Sequence, residues 1–167
     1  VQEKPLPETL QFWRRSGMEE ETIEERANGK PFNFADTVHP IPLGYRRLQQ
    51  NELIEIGGRQ WQVHIGNGHA PEHATLWSCS DDLVLAGDQI ISSISPNLGV
   101  YATEPEADPV GEWFEACERL AKLSNPNQLV LSGHKLPFRG LPFRFQQMIE
   151  NHHGALKRLI AFLDQPK

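Results

Sequence analysis

Gly66-Asn67-Gly68-His69-Ala70-Pro71-Glu72-His73 follows a strand-like run, Arg59-Gln60-Trp61-Gln62-Val63-His64-Ile65, and specifies a tight turn carrying two imidazoles four residues apart. Glycine lets the backbone approach a site closely, and histidine is the commonest metal ligand. On its own the turn says little, because an exposed or hydrogen-bonded loop histidine is the commoner case. Two further runs give it weight. Leu83-Val84-Leu85-Ala86 stops at Gly87-Asp88, and Leu129-Val130-Leu131-Ser132 stops at Gly133-His134. Strand ends are where a rigid scaffold presents groups to a shared site. His, Asp and His together are the ligand chemistry of a borderline metal such as zinc.

The surrounding composition bounds the possibilities. With 167 residues, 38% hydrophobic and 23% charged, the chain is long enough to bury a core and is not compositionally disordered. Its formal net charge is -6, and no basic cluster exceeds Arg14-Arg15 or Arg46-Arg47, which argues against a nucleic-acid partner. No apolar run approaches the roughly 20 residues of a membrane helix, and no signal-peptide pattern opens the sequence. Cys79 and Cys117 form no metal-binding pair; both are expected to be reduced thiols in a cytoplasmic protein, Cys117 as a small buried hydrophobe.

Taken in order, Pro7 to Arg15 reads as a short helix, with proline in its first turn and arginines in its last. Ser16 stands three residues before Glu19, a capping-box spacing for a second helix that Gly29 and Pro31 end. Residues 31–44 form a proline-rich connector in which His39 is a surface residue. A hairpin across Gly57-Gly58 then puts Trp61, Val63 and Ile65 on one strand face and His64 on the other. A second hairpin crosses Ser80-Asp81-Asp82. The irregular stretch 89–101, leaving directly from Asp88, is either a cleft-lining loop or an ordinary one.

Val110, Trp113, Phe114, Cys117, Leu120 and Ala121 repeat at helical spacing, and the strand-helix-strand order around them predicts an α/β layer. The last helix carries Phe145, Met148, Ile149, His152, Leu156, Leu159, Ile160 and Leu163 on one face, read as core packing. His152 and His153 take a structural reading.

Three motifs in order, Gly68-His69-Ala70-Pro71-Glu72-His73, Leu85-Ala86-Gly87-Asp88 and Leu131-Ser132-Gly133-His134, resemble the later motifs of the metallo-β-lactamase-fold hydrolases. The likeness is greatest to the hydroxyacylglutathione hydrolase-like branch, because Ser95-Pro96-Asn97 and His152-His153 occupy the places of that branch's Ser-Pro-Asn stretch and His-His helix. It covers roughly residues 45–163. The resemblance implies the later half of an αββα sandwich, an α/β arrangement with the sheet covered by helices on one face. Residues 1–44 would then be a helical inter-motif segment and connector, and residues 45–167 the C-terminal half of the domain with its terminal helix.

By the same resemblance His69 and His134 would be ligands to two different divalent metals, most commonly zinc, with iron or manganese as alternatives, and Asp88 would bridge them. His73 would orient the loop by hydrogen bonds, and Ser95 and Asn97 would line a substrate loop. The implied reaction is attack of metal-bound hydroxide on a thioester, lactone or similar small acyl substrate. The family's opening His-x-His-x-Asp-His motif is absent: the seven histidines are 39, 64, 69, 73, 134, 152 and 153. Three ligands divided between two metals make half a site, so the chain is expected to be an inactive fragment of a longer hydrolase. Its uncovered sheet face should then self-associate or retain the missing half. The alternative is a non-catalytic binding or structural module that retains motif remnants.

Overall fold

The computed structural model describes residues 4–30, 33–40 and 42–164. It divides into two compact units, one of the described residues up to 47 with 100–107, the other of 48–99 with those from 108 onward. The first unit contains α1 (Pro7–Arg15) and α2 (Glu20–Asn28). Pro7 and Glu8 open α1 and Arg14 and Arg15 close it, as the sequence predicts. The capping box does not form. Ser16 is instead the C-cap of α1, its hydroxyl donating to the Phe12 carbonyl at 2.8 Å. Glu19 caps α2 without a side-chain hydrogen bond. Gly17, at φ +77°, reverses the chain between them, and Arg14 pairs with Glu20 at 2.6 Å across the turn. Gly29 ends α2 as expected, whereas Pro31 lies outside the described residues.

The second unit is a five-stranded sheet in sequence order: β1 (Leu53–Ile56), β2 (Arg59–Gly66), β3 (His73–Ser78), β4 (Leu83–Gly87) and β5 (Leu129–Ser132). The first four strands pair antiparallel, and β5 joins β4 in parallel after the crossover helix α3 (Pro109–Ala121). Asp108 caps α3 by accepting from the Gly111 N–H at 2.9 Å, with Pro109 in the first turn. The last element, α4, runs from Leu141 to Leu163.

Register sorts the side chains. Trp77, Val84, Ala86 and Val130 share one face and pack with Trp113, Cys117 and Leu120 of α3 and Leu141, Phe145 and Met148 of α4 into one buried core. Burial pushes the Cys117 thiol far above its ordinary range, consistent with its reading as a small hydrophobe. The opposite face carries Trp61 and Val63, which are buried, with Ile65, Leu76, Leu83, Leu85, Leu129 and Leu131, which are only partly buried.

The α4 stripe is only half a core element. Phe145 and Met148 are fully buried, but Leu156, Leu159, Ile160 and Leu163 are 40 to 59% exposed, because α4 continues past the sheet it packs on. Phe145→Ala should therefore cost about 3–5 kcal/mol. Leu159→Ala should stay within about 0.5 kcal/mol. Urea unfolding of the two variants measures the contrast.

His64 does point away from Trp61, Val63 and Ile65, but into a buried position rather than toward solvent, edge-on to Trp77 at 5.2 Å between ring centres. The Gln50 carbonyl oxygen accepts from the Ile65 N–H at 2.7 Å, which fixes the amide so that its NH2 donates to His64 Nδ1 at 3.1 Å. His64 is thereby held neutral, and burial first, then the charge of Arg119, lowers its pKa below the ordinary 6.5. The unfolded chain takes up the proton at higher pH than the folded one, so this contribution is intact above pH 6.5 and is lost as the pH falls below it. Unfolding free energy measured across pH 5 to 8 should decline on the acid side, with a shallower slope in His64→Gln.

Candidate functional site

The motif loops collect at one end of the sheet. Gly66 at the end of β2 pairs with His73 at the start of β3, so residues 67–72 form the connecting turn. Strands β4 and β5 are parallel and finish at the same end, with a bulge after Leu85 that brings Gly87 beside Ser132. The Gly133 N–H donates to the Gly87 carbonyl at 2.8 Å, setting Asp88 against His134.

His69, Asp88 and His134 are brought together. His69 Nε2 lies 3.5 Å and His134 Nε2 3.4 Å from the same Asp88 oxygen, Oδ2. His69 and Asp88 are largely covered, and His134 is the open member, at 65% side-chain exposure. The other ring nitrogen of His69, Nδ1, lies 2.9 Å from the Asn97 carbonyl, which can only accept, so Nδ1 carries a hydrogen. In neutral His69 the Nε2 lone pair therefore faces a carboxylate oxygen. Two electron-rich atoms hold that approach stably only with a cation or proton between them.

The second carboxylate oxygen, Asp88 Oδ1, is buried and has no hydrogen-bond partner among the described residues. Leaving such a group unpaired costs about 1–3 kcal/mol or more for a charge. A side chain at Gly133 would fall 2.5 Å from this oxygen, so glycine is required for Asp88 to occupy its place. Gly87 is constrained likewise: at φ +52°, its added Cβ would meet the His73 ring at 2.5 Å.

His73 stands behind the site. Its Nε2 accepts from the Asp88 N–H at 3.3 Å, while burial first, and then neighbouring His69, lowers its pKa, so the ring acts as a neutral acceptor under the Asp88 backbone. Ser95 and Asn97 both lie exposed on the loop leaving Asp88, and Asn97 enters the site through its carbonyl. His152 packs at a tilt on Trp113, 4.6 Å between ring centres, and His153 stacks on Phe114.

The sequence gives no hint of the side chains that shape this loop. Trp113 Nε1 donates to the Gln89 carbonyl, Ser132 Oγ to that of Ile90, and Arg144 to those of Ile91 and Ile94.

The donor types fit a divalent cation, and the unpaired Asp88 Oδ1 and the facing Nε2 lone pair are what such an ion would satisfy. The number is short. Among the described residues, no three His, Cys, Asp or Glu side chains close around a single ion position.

No family model matches the chain. It is 28% identical over 94 residues to a type 2 metallo-β-lactamase of Elizabethkingia meningoseptica, covering 56% of this chain and 36% of that protein. A β-lactamase domain protein of Burkholderia ambifaria superposes with a TM-score of 0.67 at 39% identity, over 74% of this chain and 38% of that one. A metallo-β-lactamase family protein of Thermus thermophilus gives 0.70 at 28% identity, over 95% and 53%. The chain thus spans about a third to a half of the length of these relatives. Its five-stranded sheet and covering helices form part of the metallo-β-lactamase fold, and these relatives support its place in that fold's superfamily.

Proposed function

We propose that this chain supplies one half of the active site of a metal-dependent hydrolase acting on a thioester, lactone or similar small acyl substrate. The observation that carries the reading is the convergence of two imidazole Nε2 atoms on one oxygen of Asp88. A divalent cation at such a site, zinc or alternatively iron or manganese, polarises a carbonyl and lowers the pKa of bound water to about 7. His69, Asp88 and His134 would hold it.

The remaining work falls to the chain's own groups. The Asn97 carbonyl keeps hydrogen on His69 Nδ1 and leaves Nε2 as the donor atom. His73 fixes the backbone from which the Asp88 carboxylate projects. Ser95 and Asn97, exposed on the loop leaving Asp88, would orient an acyl substrate. This arrangement belongs to the hydroxyacylglutathione hydrolase-like branch in our reading, and two free cysteines and the acidic balance suit a cytoplasmic setting. Among the described residues no helix is long and apolar enough to cross a membrane.

In the protein with its full donor set, metal analysis should find two divalent ions per site, with Asp88→Ala and His134→Ala losing metal and turnover together. Unchanged metal content in both variants would defeat the proposal. It would favour a binding module instead, a reading to which the short donor count lends support.

The same reading assigns a cover to the sheet face bearing Leu76, Leu85 and Leu131. We propose that the remainder of a longer protein packs there, and that these 167 residues alone associate through it. Sedimentation velocity should show concentration-dependent association that Leu76→Lys with Leu131→Lys removes; a monomer at every concentration counts against it.

A further inference from the structure

We infer that Arg144 is a positioning residue for the site, acting through the loop from Gln89 to Asn97. Arg144 is buried, and its contacts are unusual for an arginine. Nε donates to the Ile91 carbonyl at 2.7 Å, Nη2 to the Ile94 carbonyl at 2.8 Å and Nη1 to the Gln147 side-chain oxygen, with no carboxylate among these partners. A buried guanidinium costs desolvation energy, and here what it gains in return is two main-chain carbonyls three residues apart in an irregular loop. Its planar fork spans both; an ammonium is a point donor with no fork.

That loop has no helix or strand of its own to define it. Its carbonyls at 89, 90, 91 and 94 are each taken by a side chain from α3, β5 or α4, and the next carbonyl engaged, at Asn97, is the one facing His69 Nδ1. Arg144 supplies two of these four clamps, including the nearest one to Asn97. Its influence on His69 therefore runs from the guanidinium to Ile94, three residues along the chain to Asn97, and across one hydrogen bond to the imidazole. The consequence is chemical as well as steric. With the Asn97 carbonyl in place His69 is held as the Nδ1–H tautomer and offers Nε2 toward Asp88; with the loop released, both tautomers become accessible.

The role in metal binding rests on the proposed function, whereas the role in setting the tautomer does not, and two readouts separate them. In the metal-free full chain, the 15N shifts of His69 should report a predominantly Nδ1–H ring in the native protein and a tautomer mixture in Arg144→Met. Arg144→Lys should be intermediate, and Ser132→Ala, which frees only the Ile90 carbonyl, should shift in the same direction by less. The last two variants keep the test open if Arg144→Met does not fold. Titration with Co2+ should show affinity weakened about ten- to a hundredfold in Arg144→Met. An unchanged His69 tautomer in Arg144→Lys and Ser132→Ala would overturn the inference. A shifted tautomer in a protein that takes up no Co2+ would leave it standing and remove the metal reading instead.

Discussion

The parallel pairing of β4 with β5 is the constraint on which the rest depends. An antiparallel neighbour would have put His134 at the far end of the sheet. The crossover through α3 returns the chain so that both strands finish together, and the bulge after Leu85 lets the Gly133 N–H reach the Gly87 carbonyl. Both residues at this contact are glycines because side chains there would strike the Asp88 carboxylate and the His73 ring. The core beneath supplies the rigidity: Val84, Ala86 and Val130 are fully buried against the two helices, so the strand ends cannot separate without opening it.

On that frame the site is assembled from backbone as much as from side chains. Asp88 projects from a peptide whose N–H is held by His73, and His69 is aimed by the carbonyl of Asn97. Gln89, next to Asp88, is fully buried, covers Gly66 and donates to the Asn67 carbonyl at 3.2 Å, which ties the β4 end to the histidine turn. Gly68, at φ +91°, brings the same turn against the first residues of α3, where a Cβ would fall 2.5 Å from that of Trp113. The histidine turn is thus fastened on both sides before any ligand is considered.

What the sequence disclosed follows from which forces are local. Both hairpins, α3 and the β4–α3–β5 order were legible because alternation, helical spacing and turn glycines are read within a few residues. The three glycine-flanked motifs were legible for the same reason, and they converge as expected. The capping box failed because Ser16 had a nearer acceptor in the helix behind it. His64 was correctly assigned away from the Trp61 face, but its burial depends on Gln50 and Trp77 across the sheet, which spacing does not show. The clamps on residues 89–94 were invisible, since their donors lie 24 to 53 positions away in sequence.

The long helix α4 shows why a periodic stripe and a buried stripe differ. Periodicity states which residues share a face; it does not say how far the partner surface extends. Phe145 and Met148 find the sheet and α3, and His152 rests on Trp113, its Nδ1 donating to the Met148 carbonyl at 2.8 Å. Beyond that level the apolar residues continue on the same period, with Leu159, Ile160 and Leu163 left open. Among the polar residues of this portion, buried Arg144 reaches the loop beside the site and exposed Gln147 accepts from its guanidinium, while Gln146 and Glu150 bond to each other on the exposed side. The first two turns of α4 are therefore constrained by both core and site, and the last two by neither.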